Sequence, residues 1–438
     1  MPTSARSEQV IWDPVEAGPR EALSELQLSR LRASVDRVLA AGTPAAERLA
    51  AAGVSSGAEI ESLDDLARIP FSEKADLREH YPFGLLAVPR EELVRVHASS
   101  GTHGKPTVVG YTRSDLEVWT EVMARCLTAA GVRRGMVVHN ANGYGLFTGG
   151  LGFHQGAELI GATVVPASGG RTARQALLIA DLGAEALAAT PSYALVIAGA
   201  LREAGLDPAE LDLEIGLFGG EPWSEAMREQ LDRELGIDSV SFYGLSEMCG
   251  PGVAAECRER RDGLHVHEDH FLIEIVDPES GEPLPDGEEG EIVLSTLTKE
   301  ALPMLRYRTA DLGSLTTEPC DCGRTMARLR GLRGRRDDML IIRGVNLFPS
   351  QVEHLLLGVE EASPHYQLVV ERPAEMDELT LRCEPAEDGI DRDGLAARIE
   401  AMLKEETGIR IAVELAEPGE IPRSEGKAVR VVDRRPDA

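Results

Sequence analysis

The sequence HASSGTHGKPT occupies residues 97–107 and separates two β-rich runs, residues 93–96 and 107–111. Its glycines allow backbone N–H groups to approach a phosphate closely, and its Ser and Thr hydroxyls add donors. Lys105 adds a positive charge. It is not a Walker A loop, because Ser99 stands where that loop begins with Gly and Pro106 stands where it has Ser or Thr. The sequence predicts a phosphate-binding loop, and the alternative is a Gly/Ser hairpin loop that binds nothing.

The composition is that of a soluble globular protein large enough for more than one domain. The chain has 438 residues, of which 43% are hydrophobic and 27% charged. Its formal net charge of −29 argues against binding to nucleic acid or an anionic membrane, since no basic field attracts phosphate polymers. No apolar run reaches membrane-spanning length and residues 1–12 lack signal-peptide blocks, so the expected location is cytoplasmic.

Short apolar runs alternate with helical segments through the middle of the chain. The apolar runs are residues 137–139, 163–165, 186–189, 214–218 and 240–243, and the helical segments are residues 149–160, 172–182, 193–204 and 225–235. This alternation predicts a parallel sheet with helices on its faces, whose ligands bind at the carboxyl ends of the strands. Polar residues follow these runs at Asn140, 219–222 and 244–247, and we expect them to converge on one crevice.

The two ends of the chain have other patterns. Helices are predicted at residues 22–41 and 44–52, and Ser114 opens a third with Glu117 at capping-box spacing. After residue 251, strands joined by Pro/Gly turns predict a β-rich region, and the last hundred residues form a compact α+β pattern. The predicted fold is α/β. A large N-terminal domain, residues 1–335, has mostly parallel sheets covered by helices plus a β-rich subdomain, and a small C-terminal α+β domain covers residues 336–438.

Four further segments each have an ordinary structural explanation. GGEPW at 219–223 is explained as a turn, FYGLSE at 242–247 as a strand end, RYRTAD at 306–311 as a surface salt-bridge run, and PRSEGK at 422–427 as a tail loop. In this order, however, they resemble the adenylate-forming enzymes, and within them the phenylacetate–CoA ligase family. The resemblance covers residues 71–88, 94–112, 143–150, 242–257, 298–311, 334–349 and 422–431.

This resemblance implies a two-step, ATP-dependent reaction on an aromatic carboxylic acid of the phenylacetate or benzoate type. The carboxylate attacks the α-phosphorus of ATP, which gives an acyl-AMP and pyrophosphate. The thiol of coenzyme A then displaces AMP and gives an aryl-CoA thioester. The first step requires that the phosphate charge be neutralised while two anions are brought together.

The resemblance also implies roles for individual residues. The implied catalytic residues are Lys427, Glu247 and Lys105, with Lys427 between the attacking carboxylate and the α-phosphate and Glu247 as the Mg²⁺ ligand. The implied nucleotide-binding residues are Ser99, Ser100, Gly101, Thr102, Gly104, Lys105, Gly220, Glu221, Pro222, Phe242, Tyr243, Gly244, Ser246, Asp311 and Arg335. Asp311 and Arg335 resemble ribose contacts, and His103 stands where the family usually has Thr.

Residues 334–338 resemble the hinge about which the small domain of these enzymes rotates between the two steps. Asp337, Ile342, Arg343 and Gly344 are the implied hinge and coenzyme A face. The implied small domain is therefore mobile, and it removes Lys427 before the thiol reacts.

The acid pocket is predicted from residues 142–150, which resemble the family's aryl-binding segment. Tyr144, Phe147 and Gly219 are candidates to surround the acid. Phe153 is larger than the Ala that phenylacetate enzymes have in this segment, and it would shorten the pocket to suit a benzoate-type or substituted aromatic acid. The alternative is that Phe153 points into the core, as most Phe do.

Four residues suggest a structural zinc site. Cys320 and Cys322 form a tight pair on a predicted turn, and Cys257 with His265 precedes them in the β-rich region. The alternative is three unrelated reduced cysteines, but some relatives have the same Cys/His set. His267 is a rival imidazole, whereas Cys126, Cys249 and Cys383 are expected to be buried thiols.

Two other function classes stay open. One is a sister ligase that passes the acyl group to an acyl carrier protein or an amine. The other is a nucleotide-binding protein without catalysis, against which Lys427 and Glu247 argue. A homodimer is a further expectation, because relatives are often dimers.

Overall fold

The computed structural model describes residues 11–99, 106–343, 345–373, 377–387, 389–424 and 426–435. The helices are α1 Arg20–Ala41, α2 Pro44–Ala51, α3 Lys74–Glu79, α4 Arg113–Ala129, α5 Gly149–Ile160, α6 Thr172–Asp181, α7 Pro191–Glu203, α8 Glu225–Leu235, α9 Pro349–Leu357 and α10 Arg392–Thr407. The strands are β1 Arg95–Ala98, β2 Val108–Tyr111, β3 Val137–Asn140, β4 Thr163–Val165, β5 Ala186–Ala189, β6 Ile215–Gly219, β7 Asp238–Leu245, β8 Gly250–Ala255, β9 Leu264–Val266, β10 Phe271–Val276, β11 Gly290–Thr296, β12 Tyr307–Thr316, β13 Arg328–Arg335, β14 Leu340–Ile342, β15 Val345–Leu347, β16 Ala362–Glu371, β17 Glu378–Pro385, β18 Ala412–Leu415 and β19 Val431–Asp433.

One sheet of eleven strands organises the large N-terminal part, in the order β10-β11-β12-β13-β9-β8-β7-β6-β5-β3-β4. The strands from β4 to β7 pair in parallel, as the strand–helix alternation predicts. From β7 to β10 every pairing is antiparallel. The β-rich region after residue 251 therefore extends the parallel sheet and does not form a separate one.

Helices cover both faces of the parallel strands. On one face, α4 and α5 bury Trp119, Val122 and Phe153 against the sheet. On the other, α6, α7 and α8 bury a second cluster that contains Tyr193 and Leu231. Two covered faces explain why these strands read as continuous apolar runs in the sequence.

The C-terminal part has its own sheet, in the order β18-β17-β16-β19, and the β14–β15 hairpin beside it. Its buried cluster contains side chains from Leu340 to Ile411, packed by α9 and α10, and partly buried residues such as Val413 and Val431 pack against it. A self-contained core is what an independently folded unit requires.

The beginning of α4 differs from the sequence prediction. Thr112, not Ser114, caps the helix, and Asp115, not Glu117, completes the capping box. The carboxylate of Asp115 also accepts from the backbone N–H groups of Glu300 and Ala301, at 2.6 and 3.0 Å. These long-range bonds fix which acid caps the helix, and the local sequence does not contain them.

None of the helices in the described residues is long and apolar enough to cross a bilayer.

Candidate active site

A cavity of about 450 Å³ lies at the carboxyl ends of β6 and β7 and is bounded by β12, β13 and the C-terminal loop. Its lining includes many of the predicted nucleotide residues and the predicted lysine: Gly220, Glu221, Pro222, Phe242, Tyr243, Gly244, Asp311, Arg335 and Lys427. Parallel sheets place ligands at this edge, because the loops after the strands converge there. Residues from five separate segments of the sequence therefore meet in one space.

Tyr243, Asp311 and Arg335 are neighbours in this cavity. The Tyr243 hydroxyl donates to Oδ2 of Asp311 at 2.6 Å, and Asp311 is the register partner of Arg335 across β12 and β13. Burial and then the Asp311 carboxylate raise the pKa of Tyr243 well above its usual value, so the hydroxyl stays protonated. The aromatic ring of Tyr243, the carboxylate of Asp311 and the guanidinium of Arg335 are suited to bind the nucleobase and the ribose of a nucleotide.

A close contact with the backbone of β7 explains why the residue that ends β6, Gly219, is a glycine. Gly219 is paired with Phe242 across β6 and β7. A Cβ at Gly219 would lie 2.4 Å from the carbonyl oxygen of Phe242, which the backbone could not accommodate. The loop can leave β6 at this point only without a side chain.

Glu247 lies in the tight turn of residues 246–249 between β7 and β8, outside the lining of the cavity. Its side chain is buried, and among the described residues no cation forms an ion pair with it. Burial and then the Glu247 carboxylate raise the pKa of Tyr307 well above its usual value, which places the Tyr307 hydroxyl beside this acid. A buried carboxylate without a cation at ion-pair distance in the described part of the chain is suited to a hard divalent ion such as Mg²⁺.

Two side chains hold the turn of residues 246–249 by its carbonyl groups. The Tyr111 hydroxyl donates to the carbonyls of Ser246 and Cys249 at 3.0 and 3.2 Å. The ammonium of Lys299 donates to those of Glu247, at 3.0 Å, and Met248, and it lies 4.6 Å from the centre of the Tyr111 ring. Every carbonyl of this turn therefore has a donor, which fixes the backbone of Glu247.

The predicted phosphate loop lies largely outside the described residues. This applies to Ser100, Gly101, Thr102, Gly104 and Lys105, and also to His103. Its two ends are described, and the Ser99 N–H donates to the Thr107 carbonyl at 2.9 Å. The hydroxyls of Ser99 and Thr107 are buried and have no hydrogen-bond partner in the part of the chain that the structure describes.

The candidates for the acid pocket are not together in the cavity. The Tyr144 hydroxyl accepts from the Asn140 amide at 2.8 Å and lies 3.0 Å from Nδ1 of His154. The ring of Phe147 is 52% exposed. Phe153 is buried, and its ring centroid lies 5.0 Å from that of Phe242, so it packs behind a ring that lines the cavity.

The predicted hinge and coenzyme A residues lie where the two parts of the chain join. Asp337 belongs to a single 3₁₀ turn, Arg336–Asp338, between β13 and β14. The side chain of Ile342 is buried in the C-terminal core, whereas the neighbouring Ile341 is 56% exposed. Arg343 begins the turn of the β14–β15 hairpin with φ 52°, and Gly344 lies outside the described residues.

Three cysteines and a histidine form a buried cluster away from the cavity. The ligand atoms of Cys257, His265, Cys320 and Cys322 all lie within 4.8 Å of one another. Sγ of Cys257 is 3.7 Å from Sγ of Cys320, and Sγ of Cys322 is 3.4 Å from Nε2 of His265. Zinc–sulfur bonds of about 2.3 Å in a tetrahedron give edges of about 3.8 Å, so the set has the size of a zinc site.

The other cysteines and the rival imidazole are elsewhere. All six cysteines are free and buried. His267 does not belong to the cluster, because its Nε2 lies 3.2 Å from Sγ of Cys126. Cys126 therefore has an imidazole partner that the sequence did not predict.

The hydrogen bond between Cys257 and Cys322 lowers the pKa of Cys322 and raises that of Cys257, which favours a thiolate in the cluster.

Three residues around the cavity were missed by the sequence reasoning. Lys299 supports the turn of Glu247, and Thr190 with Ser192 contacts the C-terminal loop beside Lys427. Thr190 could have been found, because Thr-Pro directly after an apolar run marks a helix N-cap at the same sheet edge. Lys299 gives no such signal, since its partners are carbonyls about fifty residues away.

The chain is similar to known proteins over nearly its whole length. The AMP-binding enzyme family model matches residues 25–298, and the AMP-binding enzyme C-terminal domain model matches residues 344–435. The phenylacetate-coenzyme A ligase of Thermus thermophilus is 53% identical over 439 residues, which cover 96% of this chain and 98% of that protein. The phenylacetate-coenzyme A ligase of Escherichia coli is 47% identical over 429 residues, with 97% of each chain covered.

A solved structure in two states is also similar. The 2-hydroxyisobutyryl-CoA ligase in the postadenylation state, in complex with R3-HIB-AMP, matches with a TM-score of 0.92 and 30% identity over 98% of this chain and 94% of that one. The same ligase in the thioesterification state, with 2-HIB-AMP and CoA, matches with a TM-score of 0.74 over 99% and 94%. The arrangement of this chain is therefore closer to the first state.

Proposed function

The chain belongs to the phenylacetate–coenzyme A ligase family of AMP-binding enzymes and is an AMP-forming acid–CoA ligase, and we propose that its acid is aromatic, of the phenylacetate or benzoate type. The enzyme activates a carboxylic acid with ATP as acyl-AMP and then forms the CoA thioester. Curated relatives at 46–53% identity are phenylacetate-coenzyme A ligases, which supports an aromatic acid. The pair of Phe153 and Phe242 offers an aromatic wall behind the cavity.

We further propose that adenylation takes place in the cavity, and the single observation that best supports this is that Lys427 lines it together with Tyr243, Asp311 and Arg335. In the proposed mechanism Asp311 and Arg335 bind the ribose, and Tyr243 contacts the adenine. The ammonium of Lys427 stabilises the negative charge that accumulates as the carboxylate reaches the α-phosphate. Lys427 takes no part once the thiol attacks.

Mg²⁺ is proposed to bind at Glu247. The ion neutralises phosphate charge during adenylation when bound. The chain's own contribution is a fixed carboxylate, because Tyr111 and Lys299 hold the four carbonyls of its turn. Ser99 and Thr107, with buried hydroxyls at the ends of the phosphate loop, are further proposed donors to phosphate.

Zinc is proposed to bind the cluster of Cys257, His265, Cys320 and Cys322, as a structural ion. The ligands connect the chain after β8, strand β9 and the turn between β12 and β13. None of the four lines the cavity, so the ion would stabilise the strands that bound the cavity without contacting substrate.

An acid screen tests the proposed substrate class. ATP–pyrophosphate exchange is measured with benzoate, hydroxy- and aminobenzoates, phenylacetate and the aliphatic 2-hydroxyisobutyrate. We expect exchange with aromatic acids and little with the aliphatic acid. Phe153→Ala, which opens space behind Phe242, is expected to shift the kcat/KM ratio about tenfold or more toward phenylacetate over benzoate. Exchange confined to the aliphatic acid would contradict the aromatic assignment.

A separate product assay identifies the acyl acceptor. Coenzyme A, a carrier protein and simple amines are offered to the enzyme with the best acid, and thioester or amide products are separated by mass. The proposal requires the CoA thioester as the product.

Unchanged acid selectivity in Phe153→Ala would remove Phe153 from the pocket and leave it a core residue.

A further inference from the structure

The loop between β6 and α8 (residues 220–224) touches the C-terminal part of the chain at both of its ends. At one end the carboxylate of Glu221 accepts two backbone N–H bonds, from Ser192 to Oε1 and from Ala428 to Oε2, both at 2.8 Å. At the other end the Ser224 N–H donates to Oε1 of Glu353 at 3.2 Å. The same loop lines the cavity through Gly220, Glu221 and Pro222.

Both neighbours of Lys427 are held by their backbone. The Ala428 N–H donates to Glu221, and the Gly426 carbonyl accepts from the hydroxyl of Thr190 at 3.0 Å and that of Ser192 at 3.4 Å. The side chain of Lys427 makes none of these bonds and lines the cavity. The segment of residues 426–428, which we call the lysine loop, is therefore positioned by contacts on either side of its functional group.

The partners of the lysine loop are also held by bonds within the N-terminal part itself. Ser192 lies in the first turn of α7, and the N-terminus of a helix favours a nearby carboxylate. The N–H of Ser192 orients Oε1 of Glu221. Thr190 caps the same helix, since its Oγ1 also accepts from the Tyr193 N–H. One oxygen of Glu221 and the hydroxyl of Thr190 thus face the lysine loop without further reorganisation.

We propose that Thr190, Ser192 and Glu221 are positioning residues that hold the lysine loop at the cavity during adenylation and release it before the thiol step. This inference rests on the proposed role of Lys427 in adenylation. The bonds that Thr190, Ser192 and Glu221 make to Gly426 and Ala428 come from the N-terminal domain, so a rotation of the C-terminal domain breaks them together. The bonds of Ser424 to the Lys427 carbonyl and the Gly426 N–H lie within the C-terminal part and move with it. Thr190 does not line the cavity and acts through Lys427.

A double-mutant cycle tests the proposal. Thr190→Val removes the hydroxyl, and Thr190→Ser retains it. We expect Thr190→Val to lower the rate constant for acyl-AMP formation about three- to tenfold, with little change in KM for ATP, and Thr190→Ser to restore it. Thioester formation from supplied acyl-AMP should be unchanged. In a Lys427→Ala background, Thr190→Val should add no further loss, because its effect passes through Lys427.

The controls separate this proposal from its premise. Glu229→Gln, an exposed change on α8, should leave both half-reactions at their wild-type rates. Thermal unfolding of each variant accounts for loss of the α7 cap. Normal adenylation by Lys427→Ala would reject the proposed function itself. A crippled Lys427→Ala with a normal Thr190→Val, or an equal loss from Thr190→Val in both backgrounds, would reject only the positioning role.

Discussion

Lys299 is a buried charge that the reaction mechanism does not use directly. It is 7% exposed, yet its ammonium faces two backbone carbonyls and the ring of Tyr111 instead of water. Its bonds to Glu247 and Met248 connect it to the proposed Mg²⁺ ligand. A buried ammonium without a carboxylate partner at ion-pair distance is costly, and the fold retains it where it fixes a functional turn.

This burial predicts a pH-dependent stability. Desolvation lowers the pKa of Lys299 from 10.5 to about 8. Between these values the unfolded chain keeps a proton that the native chain has released, so the free energy of unfolding rises with pH in this window. Between pH 8 and 9.5 the gain is about 2 kcal/mol, at about 1.4 kcal/mol per pH unit. Lys299→Met should lack this rise.

Denaturant unfolding of wild type and Lys299→Met at several pH values measures the difference. Lys404→Met, on an exposed position of α10, serves as the control and should follow the wild-type curve. Parallel curves for wild type and Lys299→Met across the window would show that Lys299 keeps its proton in the folded protein.

The positions of candidate site residues were predicted best where those residues belong to a contiguous motif, and their roles stay predictions. Gly219, Glu221, Tyr243 and Asp311 were singled out from the sequence, and all lie at the carboxyl edge of the sheet or in the cavity. The hydrogen bond that the Ala428 N–H donates to Glu221 could not be predicted, because the donor is a backbone group 207 positions away in the sequence. Sequence patterns identify polar loop residues, but not which of them bind substrate and which bind another part of the chain.

At the scale of elements, periodicity located the strands and helices, and tertiary contacts decided their ends. Within the predicted β-rich region, strand β12 spans Tyr307–Thr316, because β11 and β13 pair with it on both sides. The RYRTAD motif of residues 306–311 provides its first half, from Tyr307 onward, and the charged residues of this motif do not have the apolar pattern that predicts a strand. Arg306 and Arg308 pair with Glu274 and Glu291, so this motif is built into the sheet and is not a surface run.

The proposed zinc ligands Cys257, His265, Cys320 and Cys322 join elements that are distant in sequence, and this gives a metal-removal prediction. Unchelated protein should contain about one zinc per chain. Cys320→Ser should lose the metal and lower the Tm, because four ligands from three segments are then no longer joined. Adenylation below the unfolding temperature should remain, since none of the four residues lines the cavity.

Elemental analysis and thermal unfolding measure both effects. Cys383→Ala removes a buried thiol outside the cluster and should keep its zinc. Well under one zinc per chain in protein never exposed to chelator would reject the site and leave three reduced cysteines.

At the scale of the whole molecule, the sequence predicted a two-part α/β protein of the adenylate-forming kind, and the fold and family are confirmed. The continuity of the sheet across its parallel and antiparallel parts was not predictable, since strand order depends on long-range pairing. The division at residue 335 coincides with the end of β13, and the movement of the C-terminal part stays a prediction. Lys427 lines the cavity, as its proposed role in adenylation requires.

The central claim is that Lys427 serves the first half-reaction alone, and it is tested by assaying the two half-reactions separately on Lys427→Ala. Acyl-AMP formation should fall by about 10²–10³, the loss of one charged transition-state contact. Thioester formation from supplied acyl-AMP should stay within a few-fold of wild type. Val429→Ala, an exposed change two residues further along the chain, should leave both rates unchanged. Equal loss of both half-reactions, or normal adenylation, in Lys427→Ala would contradict the account.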